Sequence, residues 1–327
     1  VNMVAEQFFS IKSEDDFNKT ALEVFNFQVK NCLIYAQYIK HLNINPDQID
    51  HYEKIPFLPI SFFKSNTVLS SDLPVQITFS SSGTTGQITS RHLVTDLSLY
   101  ENSFNKAFEL FYGSVKDICL LALLPSYLER EGSSLIYMVD DLLKQSQHPK
   151  SGYFLHNHED LHNTLSELKQ SGQKTILIGV TYALLDFIEQ YQIDFPELIV
   201  METGGMKGKR KEMVREELHH ALCEGFGVQD IHSEYGMTEL LSQAYSKGKG
   251  IFFTPPWMKV LLRDTSDPLS LISSQQIGGI NVIDLANVNS CAFIATQDLG
   301  KIHNDKSFEV IGRFDNADIR GCNLLVQ

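Results

Sequence analysis

Paired cysteines, basic runs and long apolar stretches are all scarce in this sequence of 327 residues. The five cysteines, Cys32, Cys119, Cys223, Cys291 and Cys322, are odd in number, scattered, and free of any C-x-x-C pair. That pattern argues against a disulfide framework or a zinc knuckle, and reduced thiols in a cytoplasmic compartment are the expectation. The longest apolar run, residues 118–124, falls far short of a membrane span. The first six residues carry neither the charged nor the apolar stretch of a signal peptide. Lys and Arg total 27 against 40 Asp and Glu, a net charge of −13. Nucleic-acid binding is driven by neutralising phosphates, so no nucleic-acid partner is expected. The 43% hydrophobic and 20% charged residues are those of a globular protein. A chain this long buries roughly three-quarters of its unfolded surface.

Apolar residues Leu22, Phe25, Val29, Cys32, Leu33 and Ala36 recur every three or four positions, so the first 50 residues are expected to be helical. Two prolines in Ile55-Pro56-Phe57-Leu58-Pro59 then break the helical pattern. Beyond them, strands expected at 75–79, 118–124, 175–179, 198–202 and 230–234 alternate with helices at 96–112, 133–144, 182–191 and 209–224. Strands written as continuous apolar runs belong in a parallel or mostly parallel sheet covered on both faces. After about residue 248 the pattern changes to short strands at 258–262, 280–284, 291–296 and 308–311, separated by Gly, Asn, Asp and Pro. That suits a small β-rich subdomain. The fold class expected is α/β.

The segment Ser80-Ser81-Ser82-Gly83-Thr84-Thr85-Gly86 directly follows an expected strand. Its glycines let the backbone turn tightly and expose N–H groups, and its hydroxyls add donors, an assembly suited to phosphate oxygens. No Gly-Lys-[Ser/Thr] follows, so it is not a Walker A loop. By composition alone, a hydroxyl-rich surface turn stands beside this reading.

Further segments bear on the choice. Thr203-Gly204-Gly205-Met206 and Ser233-Glu234-Tyr235-Gly236-Met237-Thr238-Glu239 each close an expected strand, and Ala295-Thr296-Gln297-Asp298-Leu299-Gly300 and Gly312-Arg313-Phe314-Asp315 lie in the β-rich part. In this order the set resembles the adenylate-forming superfamily of acyl- and aryl-CoA ligases, luciferases and non-ribosomal adenylation domains. Ile55 to Lys64, Leu124 to Gly132, and an end soon after Arg320-Gly321-Cys322 narrow the resemblance to the acyl-protein synthetase family, the long-chain-fatty-acid–luciferin-component ligases of bacterial bioluminescence. It covers about residues 50–327.

The resemblance implies the large N-terminal-type domain of adenylate-forming enzymes, with layered sheets and helices, and with the C-terminal mobile domain essentially absent. On this basis the chain divides into a helical segment (1–50), an α/β nucleotide-binding core (51–247), a β-rich subdomain (248–313) and a hinge remnant and tail (314–327). Adenylation joins a carboxylate to the α-phosphate of ATP and expels pyrophosphate, which calls for donors, a divalent cation and a ribose anchor. The resemblance assigns the β,γ-phosphates to Ser81, Ser82, Gly83, Thr84, Thr85 and Gly86. It assigns the α-phosphate to Thr238 and Mg²⁺ to Glu239, a hard oxygen ligand suited to that ion. Asp298 would accept both ribose hydroxyls and Arg313 would lie near ribose and phosphate. Gly204, Gly205, Tyr235 and Gly236 would border the adenine, with the Tyr235 ring offering a stacking face. Taken singly, these residues are equally a helix-start carboxylate (Glu239), a turn aspartate (Asp298), a surface ion-pair partner (Arg313) and a core tyrosine (Tyr235).

The sequence departs from the pattern in three places. Gln87-Ile88-Thr89-Ser90-Arg91 stands where Pro-Lys usually follows the loop, so the nearest cation along the chain is Arg91. Gln297 replaces a glycine. Only residues 315–327 follow the hinge motif, so the lysine that a further domain normally contributes is not expected, and a partner or Arg91 would have to replace it. Without that domain the acyl-adenylate needs another acceptor. The resemblance implies Cys322, whose thiolate a neighbour such as Arg320 would favour, and an acyl reductase as partner. An inert terminal cysteine packed by Leu324 and Leu325 is the plainer alternative.

His158-Glu159-Asp160-Leu161-His162 fits the zinc-protease spacing, yet its polar flanks suit the first turn of a surface helix. The run Lys207 to Lys211 is read as a solvated face, with an anionic substrate tail or an acidic carrier as the sharper alternative. The function expected is ATP-dependent activation of a carboxylic acid, a fatty acid by resemblance, followed by acyl transfer to a thiol. CoA or an acyl carrier is the alternative acceptor, and a degenerate nucleotide-binding scaffold is the alternative of another class.

Overall fold

A computed structural model describes residues 5–81, 89–125, 131–204 and 213–314. Three helices open the chain: α1 (Ala5–Phe9), α2 (Glu14–Asn31) and α3 (Leu33–His41). Ser13 caps α2 by accepting the Asp16 N–H at 3.1 Å, with three acidic residues in the first turn where the helix dipole favours them. The helical period expected here is present but interrupted. Cys32 is extended (φ −92°, ψ 102°), which resets the phase. The buried stripe therefore runs through Phe17, Ala21, Val24, Phe25 and Gln28 on α2, then Cys32, Tyr35 and Ile39, and it leaves Leu33 exposed.

The strand β1 (Leu58–Pro59) and the short helix α4 (Phe62–Ser65) lead to the hairpin β2 (Ile77–Ser80) and β3 (Arg91–Val94), which brackets the Ser/Gly/Thr loop. Strand β3 is absent from the expectations because His92 and Arg91 break its apolar pattern. Then follow α5 (Leu97–Tyr112), β4 (Cys119–Leu123), α6 (Ser134–Ser146), β5 (Gly152–Tyr153), α7 (His158–Ser171), β6 (Thr175–Val180), α8 (Thr181–Gln190), β7 (Ile199–Thr203), α9 (Arg215–Phe226) and β8 (His232–Tyr235). The alternation matches the expected α/β pattern closely. Asp96 caps α5 and Gly113, at φ 84°, ends it. The expected helix at 209–224 starts instead at Arg215, and residues 205–212 lie outside the described set.

Strands β5, β4, β6, β7 and β8 run parallel in that spatial order, and every residue of β4 and β6 is buried. The sheet continues with antiparallel pairings through β9 (Ala244–Ser246), β10 (Ile251–Phe253), β14 (Phe308–Arg313), β13 (Phe293–Ile302), β12 (Ile277–Asp284) and β11 (Met258–Arg263). Residues from the β-rich region are thus hydrogen-bonded into the same 12-stranded sheet. Helices α8 and α9 approach closely enough that a Cβ at Gly225 would come within 2.5 Å of Ile188.

The N-terminal helices serve the site from behind. Gln28 is fully buried and donates to the carbonyls of Asn287 (3.0 Å) and Val288 (2.8 Å), while its oxygen accepts the Ala292 N–H at 3.0 Å. One α2 amide thereby satisfies the turn that follows β12, the turn whose Asn287 side chain holds the Glu239 carbonyl.

Candidate active site

In a parallel sheet the loops that leave the C-terminal strand ends share one edge, and here those ends carry Thr181, Gly204 and Gly236 after β6, β7 and β8. Thr203 donates to Glu234 at 2.6 Å, joining the two strand ends, and Thr181 donates to the Gly204 carbonyl at 2.6 Å. Gly204 has φ 63°, a conformation that glycine adopts without strain. Glu202, on the opposite side of β7, is bridged to Arg215 at 3.2 Å. At Gly236 a Cβ would fall 2.4 Å from Glu234 Oε1, so the backbone there passes closer to that carboxylate than any side chain would permit.

Beyond Gly236 the chain turns, with the Leu240 N–H on the Met237 carbonyl at 3.1 Å. Three elements remote in sequence hold this turn. His92 Nδ1, on β3, donates to the Thr238 carbonyl at 2.8 Å. Asn287 donates its amide hydrogens to the carbonyls of Glu239 (2.8 Å) and Cys291 (2.9 Å), and its Oδ1 lies 3.0 Å from His92 Nε2. Asp284 accepts from the Leu241 N–H (2.7 Å), the Ser242 N–H (3.0 Å) and the Ser242 hydroxyl (2.5 Å). Burial raises the Asp284 carboxyl to about 6 against the pull of those donors.

Glu239 is only 6% exposed. Burial pushes its carboxyl above the usual carboxylate range, and the Ser90 hydroxyl, then the charges of Lys64 and Arg313, pull the other way. Ser90 closes the neck of the hydroxyl-rich loop: its N–H donates to Ser81 Oγ at 2.9 Å, and the Ser81 N–H donates to its carbonyl at 3.1 Å. The two ends of the loop therefore meet beside Glu239. Ser82, Gly83, Thr84, Thr85, Gly86, Gly205 and Cys322 lie outside the described residues.

Asp298, 5% exposed, accepts the Tyr235 hydroxyl at 2.9 Å on one oxygen and Arg313 Nε at 3.0 Å on the other. The last two face each other across β13 and β14, where Asp298 and Arg313 are register partners. Beneath them Arg263 is buried, donating to the carbonyls of Ile280 and Thr296 and to Asn281. The Tyr235 ring packs against Phe252 (5.8 Å) and Phe308 (5.5 Å) with 8% of the residue exposed, and its hydroxyl reaches Asp298.

Of the sequence candidates, Ser81, Thr238, Glu239, Asp298, Tyr235 and Arg313 are linked as described, with Gly204 and Gly236 on the neighbouring strand ends. The residues that hold them, His92, Ser90, Asp284 and Asn287, carry no motif. A polar residue closing an apolar strand, as Asp284 closes Ile280 to Ile283, is the one local sign they give. His158 and His162 are packed against Phe187 (5.6 Å) and Tyr191 (5.0 Å), and no cluster of three metal-ligating side chains occurs among the described residues.

A family profile described as acyl-protein synthetase, LuxE, matches residues 7–327. The chain belongs to the acyl-protein synthetase (LuxE) family. Membership makes it an acyl-adenylate-forming enzyme. Its fold is similar to that of 2-hydroxyisobutyryl-CoA ligase, solved in an open conformation with 2-HIB-AMP and CoA, at a TM-score of 0.67 and 12% identity over 93% of this chain and 70% of the ligase. It is also similar to ATP-bound MatB from Rhodopseudomonas palustris, at a TM-score of 0.56 and 16% identity over 73% of this chain and 48% of MatB. At such identities the likeness establishes the fold, the large domain of adenylate-forming ligases. A search among curated protein sequences found no match. Among the described residues no helix is long and apolar enough to cross a membrane.

Proposed function

We propose that this family member condenses a fatty acid with magnesium ATP and passes the acyl group to Cys322. The observation that carries the reading is the meeting of the loop neck, Ser81 and Ser90, with the buried carboxylate of Glu239. A hydroxyl-rich loop offers donors to phosphate oxygens, and an enclosed carboxylate raised by burial gains from a cation that returns its charge to balance. The donor set thus fits Mg²⁺ at Glu239. Mg²⁺ bound there would supply charge neutralisation between the phosphates.

The chain's own groups do the rest. Ser81 to Gly86 hold the β,γ-phosphates, Thr238 faces the α-phosphate, and Gly204, Gly205 and Gly236 let the nucleotide approach the backbone. Asp298, oriented by the Tyr235 hydroxyl and Arg313, accepts the ribose hydroxyls. A carboxylate oxygen of the acid attacks the α-phosphorus as the bond to the β-phosphate oxygen breaks and pyrophosphate leaves. The Cys322 thiolate then attacks the acyl carbon and AMP departs. Cys322 is eight residues beyond Phe314, a tether of at most about 28 Å, long enough to reach the pocket beside Arg313 and to present the acyl group to a reductase.

The test is acid-dependent ATP–pyrophosphate exchange together with acylation of the protein by a labelled fatty acid. Cys322→Ser keeps exchange and loses the hydroxylamine-labile label. Labelling that persists in the variant rejects the cysteine, and turnover that requires added CoA reassigns the acceptor.

A further inference from the structure

The loop lacks the lysine that would meet a triphosphate, and the cation nearest to it in sequence is turned away. On β3, His92 is buried and directed at Thr238, so the alternation of a strand sends the exposed Arg91 to the other side. Arg313 reaches Glu239 with its charge but is hydrogen-bonded to Asp298. A third cation whose charge reaches Glu239 comes from neither element: Lys64, on α4.

Lys64 is placed by a short, well-anchored stretch of chain. Strand β1 pairs with β13, with Leu58 opposite Ile294 and Pro59 opposite Ala295, and the Ile60 N–H donates to the Ala295 carbonyl at 2.9 Å, three residues before Asp298. The next turn, α4, inserts the ring of Phe63 edge-on against His92 at 5.7 Å, and His92 in turn holds the Thr238 carbonyl. Phe63 is 1% exposed and so fixes α4 against the wall behind Thr238 and Glu239. Its neighbour Lys64 is exposed and makes no ion pair with any described residue. The proline-broken segment before it, with Pro59 opposite Ala295, leads directly into this turn.

We propose that Lys64 contacts the phosphate oxygens of the bound triphosphate beside Glu239, taking the place of the missing loop lysine. A flexible four-carbon stem carrying a compact point charge suits that task, because it can follow the phosphates as pyrophosphate separates. The proposal rests on the site being a nucleotide site and adds the residue that distinguishes ATP from AMP there.

The experiment compares binding of magnesium ATP and of AMP by calorimetry in the full chain, the Lys64→Met variant and the Lys64→Arg variant, with thermal melting alongside. A charge-assisted bond to phosphate predicts a tenfold to hundredfold loss of ATP affinity, about what one such contact contributes. AMP affinity and the melting temperature stay unchanged in Lys64→Met, and Lys64→Arg recovers most of the ATP affinity. Equal losses for ATP and AMP, or no loss for either, overturn the role of Lys64 while leaving the nucleotide site in place. Failure of the unsubstituted protein to bind either nucleotide removes the site, and the proposal with it.

Discussion

Replacing Asn287 by alanine removes the amide that braces the Glu239 turn from below. Asn287 is 1% exposed, and its two hydrogens are the donors to the buried carbonyls of Glu239 and Cys291. Leaving a buried acceptor unpaired costs about 1–3 kcal/mol, and the two costs overlap because both carbonyls share one relaxing turn. The expected loss is therefore about 3 kcal/mol, read as a lower urea midpoint with an unchanged slope in far-ultraviolet circular dichroism. The same substitution frees the Glu239 carbonyl, so acid-dependent pyrophosphate exchange should fall by more than tenfold at temperatures where the variant is still folded. A stability change below about 0.5 kcal/mol with exchange intact would refute the bracing role, since surface positions commonly give changes of that size.

The acidic limb of the stability profile carries two opposite signatures. Asp284 rises from an ordinary 3.8 to about 6 in the fold, so the native state binds more protons than the unfolded chain between those values, and stability falls as pH climbs from about 4 to 6. Asp284→Asn should flatten that decline, which denaturant titrations at stepped pH would reveal. Glu14 behaves inversely. Burial would raise it, but Lys259, Tyr52 and Lys306 together lower it to about 2, so its contribution is present above 4.5 and is lost as pH falls towards 2. Because its side chain is 45% exposed, solvent screening reduces that contribution to about 1 kcal/mol. Glu14→Gln should lower the melting temperature at neutral pH by a few degrees, with a smaller effect in high salt, and no pH-dependent difference should remain near pH 2.

Much of the frame is legible along the chain because its causes are local. Residues 119–123 and 176–180 must be buried on both faces, and their unbroken apolar character says so. Asp96 and Gly113 mark the two ends of one helix. The break at Cys32 is a different matter. Nothing nearby forbids a continuous helix, and the reset follows from docking Tyr35 against Phe293 and the Pro56 carbonyl. The candidate site divides in the same way. Glu239 and Asp298 sit in recognisable motifs, whereas His92, Asp284 and Asn287 act on backbone groups some 40 to 150 positions away, and such partners leave no spacing to read. The packing around Tyr235 is equally unreadable along the chain, because Phe252 and Phe308 converge on its ring only once β10 and β14 join the sheet.

The most direct measurement is a crystal structure of the full chain soaked with a non-hydrolysable ATP analogue and Mn²⁺, with the metal located by its anomalous signal. The expected result is one peak within coordination distance of the Glu239 carboxylate, with the triphosphate lying between it and the loop that begins at Ser81. A metal bound elsewhere, or a nucleotide whose phosphates avoid that loop, would contradict it.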